Sequence, residues 1–201
     1  MRYIFYLFGT VFIVCGIYIA GIYLDLYGEL EEPGFSVNSE LPKSLVDDKQ
    51  ISQKPFGRQK QILFGDTHVH TTYSTDAFLW SLPILNGEGP HPIADACDFA
   101  RFCANLDFWV STDHAEALTP RKWKSIKEAV RNCNNPTDAK DPDLVTFLGY
   151  EWTQVGNTAD THYGHKNVMF LDIEEGKVPE RAIGAGGLAT NGMRAGIPGQ
   201  S

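Results

Sequence analysis

The chain has 201 residues, 43% of them hydrophobic, and a formal net charge of -8. This is enough apolar material for one domain with a core, and the acidic balance argues against a basic nucleic-acid-binding face. The four cysteines are too few for a disulfide-scaffolded mini-protein, and the absence of a Cys-x-x-Cys pair argues against a zinc knuckle.

The first element is apolar. No residue from Tyr3 to Leu24 is charged, and a helix needs about 20 such residues to cross a bilayer. Arg2 precedes the run; Asp25, Glu29, Glu31 and Glu32 follow it. The positive-inside bias predicts that residues 1–25 are a signal-anchor helix with a cytoplasmic N-terminus. The rest of the chain would then be exported, on the periplasmic side of an inner membrane. The alternative is a cleaved signal peptide and a secreted domain. Against it, the apolar run exceeds the about 7–15 residues of a signal core, and Tyr18-Ile19-Ala20 lacks a small-x-small site. Residues 26–59 are polar and punctuated by Pro33, Gly34, Pro42, Pro55 and Gly57, which predicts a linker.

The folded domain is expected over residues 60–201. Ile62, Leu63 and Phe64 read as a buried strand leading into Asp66-Thr67-His68-Val69-His70. Thr72 to Pro92 is rich in turn formers and reads as a long loop. Ile93 to Asn105 carries an apolar stripe of Ile93, Ala96, Cys97, Ala100, Cys103 and Ala104, which predicts a helix. Leu106 to Ser111 is a second buried strand, ending in Thr112-Asp113-His114. Thr119-Pro120 opens a second helix as cap and first residue, with Trp123, Ile126, Val130 and Cys133 as its stripe. Leu144 to Leu148 is a third strand, followed by Gly149-Tyr150-Glu151-Trp152. Asn167 to Leu171 is a fourth, preceded by Thr161-His162-Tyr163-Gly164-His165-Lys166. From about Val178 glycine replaces any periodic pattern.

Strands joined through helices imply parallel pairing in an α/β sheet or barrel. The site then lies at the C-terminal strand ends. Cys103 and Cys133 fall near the ends of the two helices, on their inward stripes. If those helices pack in parallel, an exported domain would allow a disulfide there; buried free thiols are the alternative.

In an extended segment His68 and His70 point to one side, so both imidazoles can reach one ion, with Asp66 on the same face. His114 and Glu151 follow the ends of two other predicted strands. Five of the six histidines fall at or beside strand ends. Imidazole and carboxylate donors suit Zn, Mn or Fe, and there are more of them than one four-coordinate ion needs. Two-metal sites hold their ions about 3.5–4 Å apart, and Glu151 is the natural bridging carboxylate. Asp76 is the next candidate ligand; its simpler reading is a turn or cap residue.

Asp66-Thr67-His68-Val69-His70-Thr71-Thr72-Tyr73-Ser74-Thr75-Asp76 resembles the first motif of the PHP (polymerase and histidinol phosphatase) superfamily. Thr112-Asp113-His114 looks like its second motif and Gly149-Tyr150-Glu151 like its third. Asp113-His114-Ala115-Glu116, Gly149-Tyr150-Glu151-Trp152-Thr153-Gln154 and Gly164-His165-Lys166-Asn167-Val168 are similar to the DUF3604 branch. The resemblance spans about residues 60 to 180. It implies a distorted (β/α)7 barrel, with about four strands in this chain, and two or three divalent ions that hydrolyse a small phosphorylated substrate. By position, His68, His70 and Glu151 would hold the first ion. Glu151 would bridge to a second ion on His165, and Asp76 and His114 would hold a third. His162 matches less closely. Asp113 and Glu116 are candidate catalytic-site residues that orient the ligands; Glu116 reads equally as a helix-start cap. Lys166 could meet a phosphate, although a solvated lysine is the simpler reading. PHP proteins draw further ligands from later strands, including an Asp-x-His or similar pair. No such motif follows here, so the expectation is the N-terminal part of a longer protein, or a shortened, inactive relative. An amidohydrolase-type hydrolase and a non-enzymatic metal- or partner-binding domain are the competing readings.

Overall fold

A computed structural model describes residues 2–23, 34–53, 61–89, 91–135 and 142–185. The chain divides into two units, Met1–Glu31 with Leu188–Ser201, and Glu32–Gly187. The described element of the first is helix α1, Arg2–Tyr23. Within it Tyr3–Gly21 has a mean hydropathy of 2.1. Its large apolar side chains, from Tyr3 to Ile19, are exposed. It is long and apolar enough to span a membrane or to serve as a signal sequence.

The second unit is a mixed α/β domain. Its sheet has the order β1-β2-β3-β4, with β1 Gly65–Val69, β2 Phe108–Ser111, β3 Val145–Gln154 and β4 Gly164–Phe170. The β1–β2 and β2–β3 pairs are parallel, as the intervening helices require. β4 follows β3 with no helix between them and pairs with it as an antiparallel hairpin. That reversal brings the start of β4 beside the end of β3, with Gln154 opposite Gly164 and Thr153 opposite His165.

Helix α5, Pro120–Asn134, packs against the sheet. The Thr119 side chain accepts from the Lys122 amide at 3.2 Å, forming the expected cap. Trp123, Ile126 and Val130 are buried with Leu148 and Tyr150 of β3. The period-2 alternation of β3 turns Leu148 and Tyr150 to this core and sends Gly149, Glu151 and Thr153 to the opposite face. Gly149 is needed there: a Cβ would lie 2.6 Å from the Val168 carbonyl oxygen.

Four expectations are corrected. Ile62, Leu63 and Phe64 are exposed and outside the sheet; the strand begins at Gly65. The segment expected as a loop contains helix α3, Thr75–Ser81, and a 3-10 turn, Pro83–Leu85. The segment expected as a linker contains helix α2, Lys43–Ser52. The buried Lys49 of α2 donates to the Leu106 carbonyl at 2.6 Å and also to that of Asp143. Finally, the disulfide joins Cys97 to Cys133, not Cys103 to Cys133; Cys103 is a free, exposed thiol. The cause is a change of helical period. Helix α4, Ile93–Asp98, continues as a π-turn over Phe99–Cys103, which advances fewer degrees per residue than an α-helix. Arg101 therefore turns inward, fully buried, and Cys103 turns out. Arg101 donates to the Cys133 carbonyl at 2.7 Å and lies 3.2 Å from the Asp143 carboxylate.

Candidate metal centre

The site forms at one end of the sheet, where the parallel strands finish. β1 delivers His68 and, just past its end, His70; the first turn of α3 delivers Asp76. His114 follows β2 and forms an isolated parallel bridge with Glu151. Glu151 lies within β3 rather than after it, because pairing with β4 carries β3 to Gln154. His165 is the second residue of β4. Two long-range strand crossings and one hairpin thus bring the six predicted ligands together.

Glu151 is the centre of the group and is fully buried. Its Oε2 lies 2.8 Å from His70 Nε2, 3.1 Å from His68 Nε2 and 3.5 Å from His114 Nδ1. Its Oε1 contacts His165 Nδ1. The His68 and His70 Nε2 atoms are 2.9 Å apart. Asp76 lies 3.2 Å from His114 Nε2 and 3.5 Å from His70 Nδ1. Three groups of donors gather within 4.8 Å: His68, His70 and Glu151; His70, Asp76 and His114; and His114, Glu151 and His165. Zinc donors sit about 2.0–2.1 Å from the ion, which spaces neighbouring donors about 3 Å apart. The His68, His70 and Glu151 atoms have that spacing. Nitrogen and carboxylate donors without thiolate also suit a borderline divalent cation. The residues therefore fit a metal.

Electrostatics agree with the geometry. Burial pushes the Glu151 carboxyl up, but His114, His165 and His70 outweigh it and hold the group below the ordinary carboxylate range. Burial likewise raises Asp76, and the Ala77 amide with His114 and His70 brings it below its usual value. Both carboxylates are set as anions facing imidazole nitrogens.

The two expected orienting residues do different work. Asp113, fully buried, accepts from the Thr71 amide at 2.7 Å, the Ser74 hydroxyl at 2.9 Å and the Thr71 hydroxyl at 2.9 Å. Ser74 Oγ in turn accepts from the His114 amide at 2.9 Å. Asp113 thus pins the turn between His70 and Asp76 to the strand that carries His114, and touches no imidazole. Burial pushes its carboxyl up, against the pull of Thr71 and Ser74. Glu116 lies away from the ligands: its Oε1 accepts from the Thr153 and Ala185 amides, at 3.3 and 2.7 Å. Asp113→Ala should lower metal affinity about 10–100-fold with every ligand still in place. Asp113→Asn, which keeps an acceptor, should recover most of it. Calorimetric Mn2+ titration of both variants checks this; unaltered affinity in Asp113→Ala would remove the positioning role.

Thr153 is the site residue that sequence reasoning missed. Its hydroxyl lies 3.0 Å from His114 Nδ1, 3.2 Å from His165 Nδ1 and 3.2 Å from Glu151 Oε1. The available signal was its i+2 spacing from Glu151, which places both on one face of a strand. Asp66 accepts from the His68 amide at 2.9 Å and belongs to none of the three groups. His162 is exposed and outside the cluster. Lys166 points its ammonium at the Tyr163 carbonyl, 2.6 Å away.

The family model described as "Protein of unknown function (DUF3604)" matches residues 57–120. Over that segment the chain is DUF3604-like. The DUF3604-like segment holds His68, His70, Asp76 and His114, while Glu151 and His165 lie beyond it. No curated protein and no solved structure matches the chain.

Proposed function

We propose that this chain carries the metal centre of a PHP-type, metal-dependent phosphoesterase built on a barrel to which these four strands belong. One observation carries the reading: four imidazoles, two on strands β1 and β4 and two just past the ends of β1 and β2, converge on the single buried carboxylate of Glu151. A buried carboxylate among four rings is costly as a purely structural device. It is the normal arrangement for a bridging ligand between two ions.

In this reading His68, His70 and Glu151 hold one ion, Glu151 with His165 a second, and Asp76 with His114 a third. Bound Zn, Mn or Fe supplies Lewis acidity toward phosphoryl oxygens and lowers the pKa of a water. The protein's own part is orientation. Glu151 keeps its negative charge between the imidazoles, Thr153 tethers His114 and His165 to it, and Asp113 stiffens the turn that aims His70 and Asp76. A phosphoester fits better than an amide: the amidohydrolase pattern usually wants a bridging lysine or carboxylate, and Glu151 with no matching lysine favours the PHP-type reading. Helix α1 and the Cys97–Cys133 disulfide support an exported, membrane-tethered domain.

The test uses the full chain, purified with its metal. It should carry at least one equivalent of Zn, Mn or Fe by elemental analysis and hydrolyse p-nitrophenyl phosphate. A chelator should abolish the activity and Mn2+ should restore it. Metal-loaded protein without phosphatase activity would overturn the phosphoesterase reading, and protein that binds no metal would overturn the centre itself.

A further inference from the structure

A cavity of about 210 Å3 opens beside the candidate centre, with His70 on its wall and His91 and Asp95 among its other lining residues. We propose that this cavity receives the leaving group of a small phosphomonoester, and that His91 donates the proton taken up by the departing oxygen. The inference rests on the phosphoesterase reading and adds to it a substrate size and a general acid.

Three observations carry it. The first is position: one cavity touches both a ligand of the centre and a second histidine that lies 21 residues further along the chain, outside all three donor groups. The second is chemistry. Of the described residues lining the cavity, His70, His91 and Asp95 are the titratable ones. His70 has its Nε2 2.8 Å from Glu151 and its Nδ1 3.5 Å from Asp76, so both ring nitrogens face the centre's own carboxylates. His91 has its Nδ1 3.2 Å from Asp95 Oδ2. A carboxylate on Nδ1 fixes the ring's orientation and leaves Nε2–H for a substrate atom. The Thr72 hydroxyl donates to the His91 carbonyl at 3.1 Å and ties this loop to the turn after His70. The third is size. Drug-sized ligand pockets run about 300–1,000 Å3, so this one suits a single ring or a short alkyl group. Ala77, Pro92 and Ala96 give it apolar walls.

In the step, the ester P–O bond breaks as a P–O bond to the water oxygen forms. The electron pair leaves on the ester oxygen, which takes the His91 Nε2 proton. The attacking water releases a proton to solvent, and the half-exposed imidazole regains one from there.

The experiment compares kcat/KM for phenyl phosphate and p-nitrophenyl phosphate in the Mn2+-loaded full chain. Nitrophenolate departs readily without a proton, whereas phenolate needs one. In His91→Gln the phenyl to p-nitrophenyl ratio should fall about 100-fold, at the lower end of general-acid contributions. Asp95→Asn should lower the ratio in the same direction by less. An unchanged ratio in His91→Gln overturns the inference while wild-type hydrolysis leaves the phosphoesterase reading standing. Failure of the wild type on both substrates overturns both. If His91→Gln loses its metal, Asp95→Asn decides: a lowered ratio supports the dyad, and an unchanged one overturns it.

Discussion

Glu151→Ala should cut divalent metal retention to at most one ion per chain. Glu151 belongs to two of the three donor groups, and the group of His70, Asp76 and His114 is the one formed without it. Its two oxygens contact four rings, so its loss leaves Asp76, which faces only His70 and His114, as the carboxylate remaining in the three donor groups. Replacing residues that merely support ligands weakens metal binding about 10–100-fold; removal of a shared ligand should exceed that at both positions it serves. Glu151→Gln keeps the shape and loses the charge, and should fail nearly as badly. Elemental analysis after gel filtration reads the stoichiometry, and calorimetric titration reads the affinity. Wild-type metal content in Glu151→Ala would dismiss the centre as drawn. The surviving ion in that variant should disappear with a second change, Asp76→Ala, which ties each donor group to its own ion.

Replacing both Cys97 and Cys133 with serine should destabilise the domain by roughly 4 kcal/mol in the chain-entropy picture, given the sequence separation of 36. For a domain of this size that corresponds to a fall in Tm of roughly 10 °C. The bridge links the last turn of α5 to α4 in a cluster with Ala100, Trp109 and Leu144. Its loss therefore loosens the packing around β2, the strand that leads into His114. Cys103→Ser should leave Tm unchanged, because that thiol is free and exposed. Urea unfolding of the oxidised, reduced and double-serine forms checks the prediction. Equal stability of all three would sink it.

What could be read from the residues follows the length scale of the signal. His68-Val69-His70 and Glu151 were legible because the two-residue period of a strand and the chemistry of imidazole and carboxylate are local. Helix α5 was legible from its threonine cap, its proline and its apolar stripe. Helix α2 was not, because it has no apolar stripe: its one buried residue is Lys49, held by carbonyls far away in sequence. Helix α3 was hidden because Phe78, Leu79 and Trp80 are all exposed, so no face stands out. The π-turn over Phe99–Cys103 broke the assumed 3.6-residue period, and that shift is why Cys103 seemed to face Cys133. The direction of β4 was not legible, because it depends on pairing with β3, which residues 164–170 do not encode alone. Thr153 escaped notice because a threonine in a strand is usually a packing residue, and its role appears only once His114 and His165 arrive from other strands.

The spread of the ligands along the chain has a kinetic and thermodynamic consequence. His165 meets Glu151 across a hairpin, 14 residues away, whereas His68 meets it across 83. An ion held by His68, His70 and Glu151 would act as a removable cross-link closing a loop more than twice as long as the one the disulfide closes. Loop closure costs more as the loop lengthens, so an unfolded chain would assemble the hairpin end first and the β1 end last. Free metal would then set the stability of the domain by mass action, and starvation for the ion would release β1, at the sheet's edge, before the disulfide-bound half.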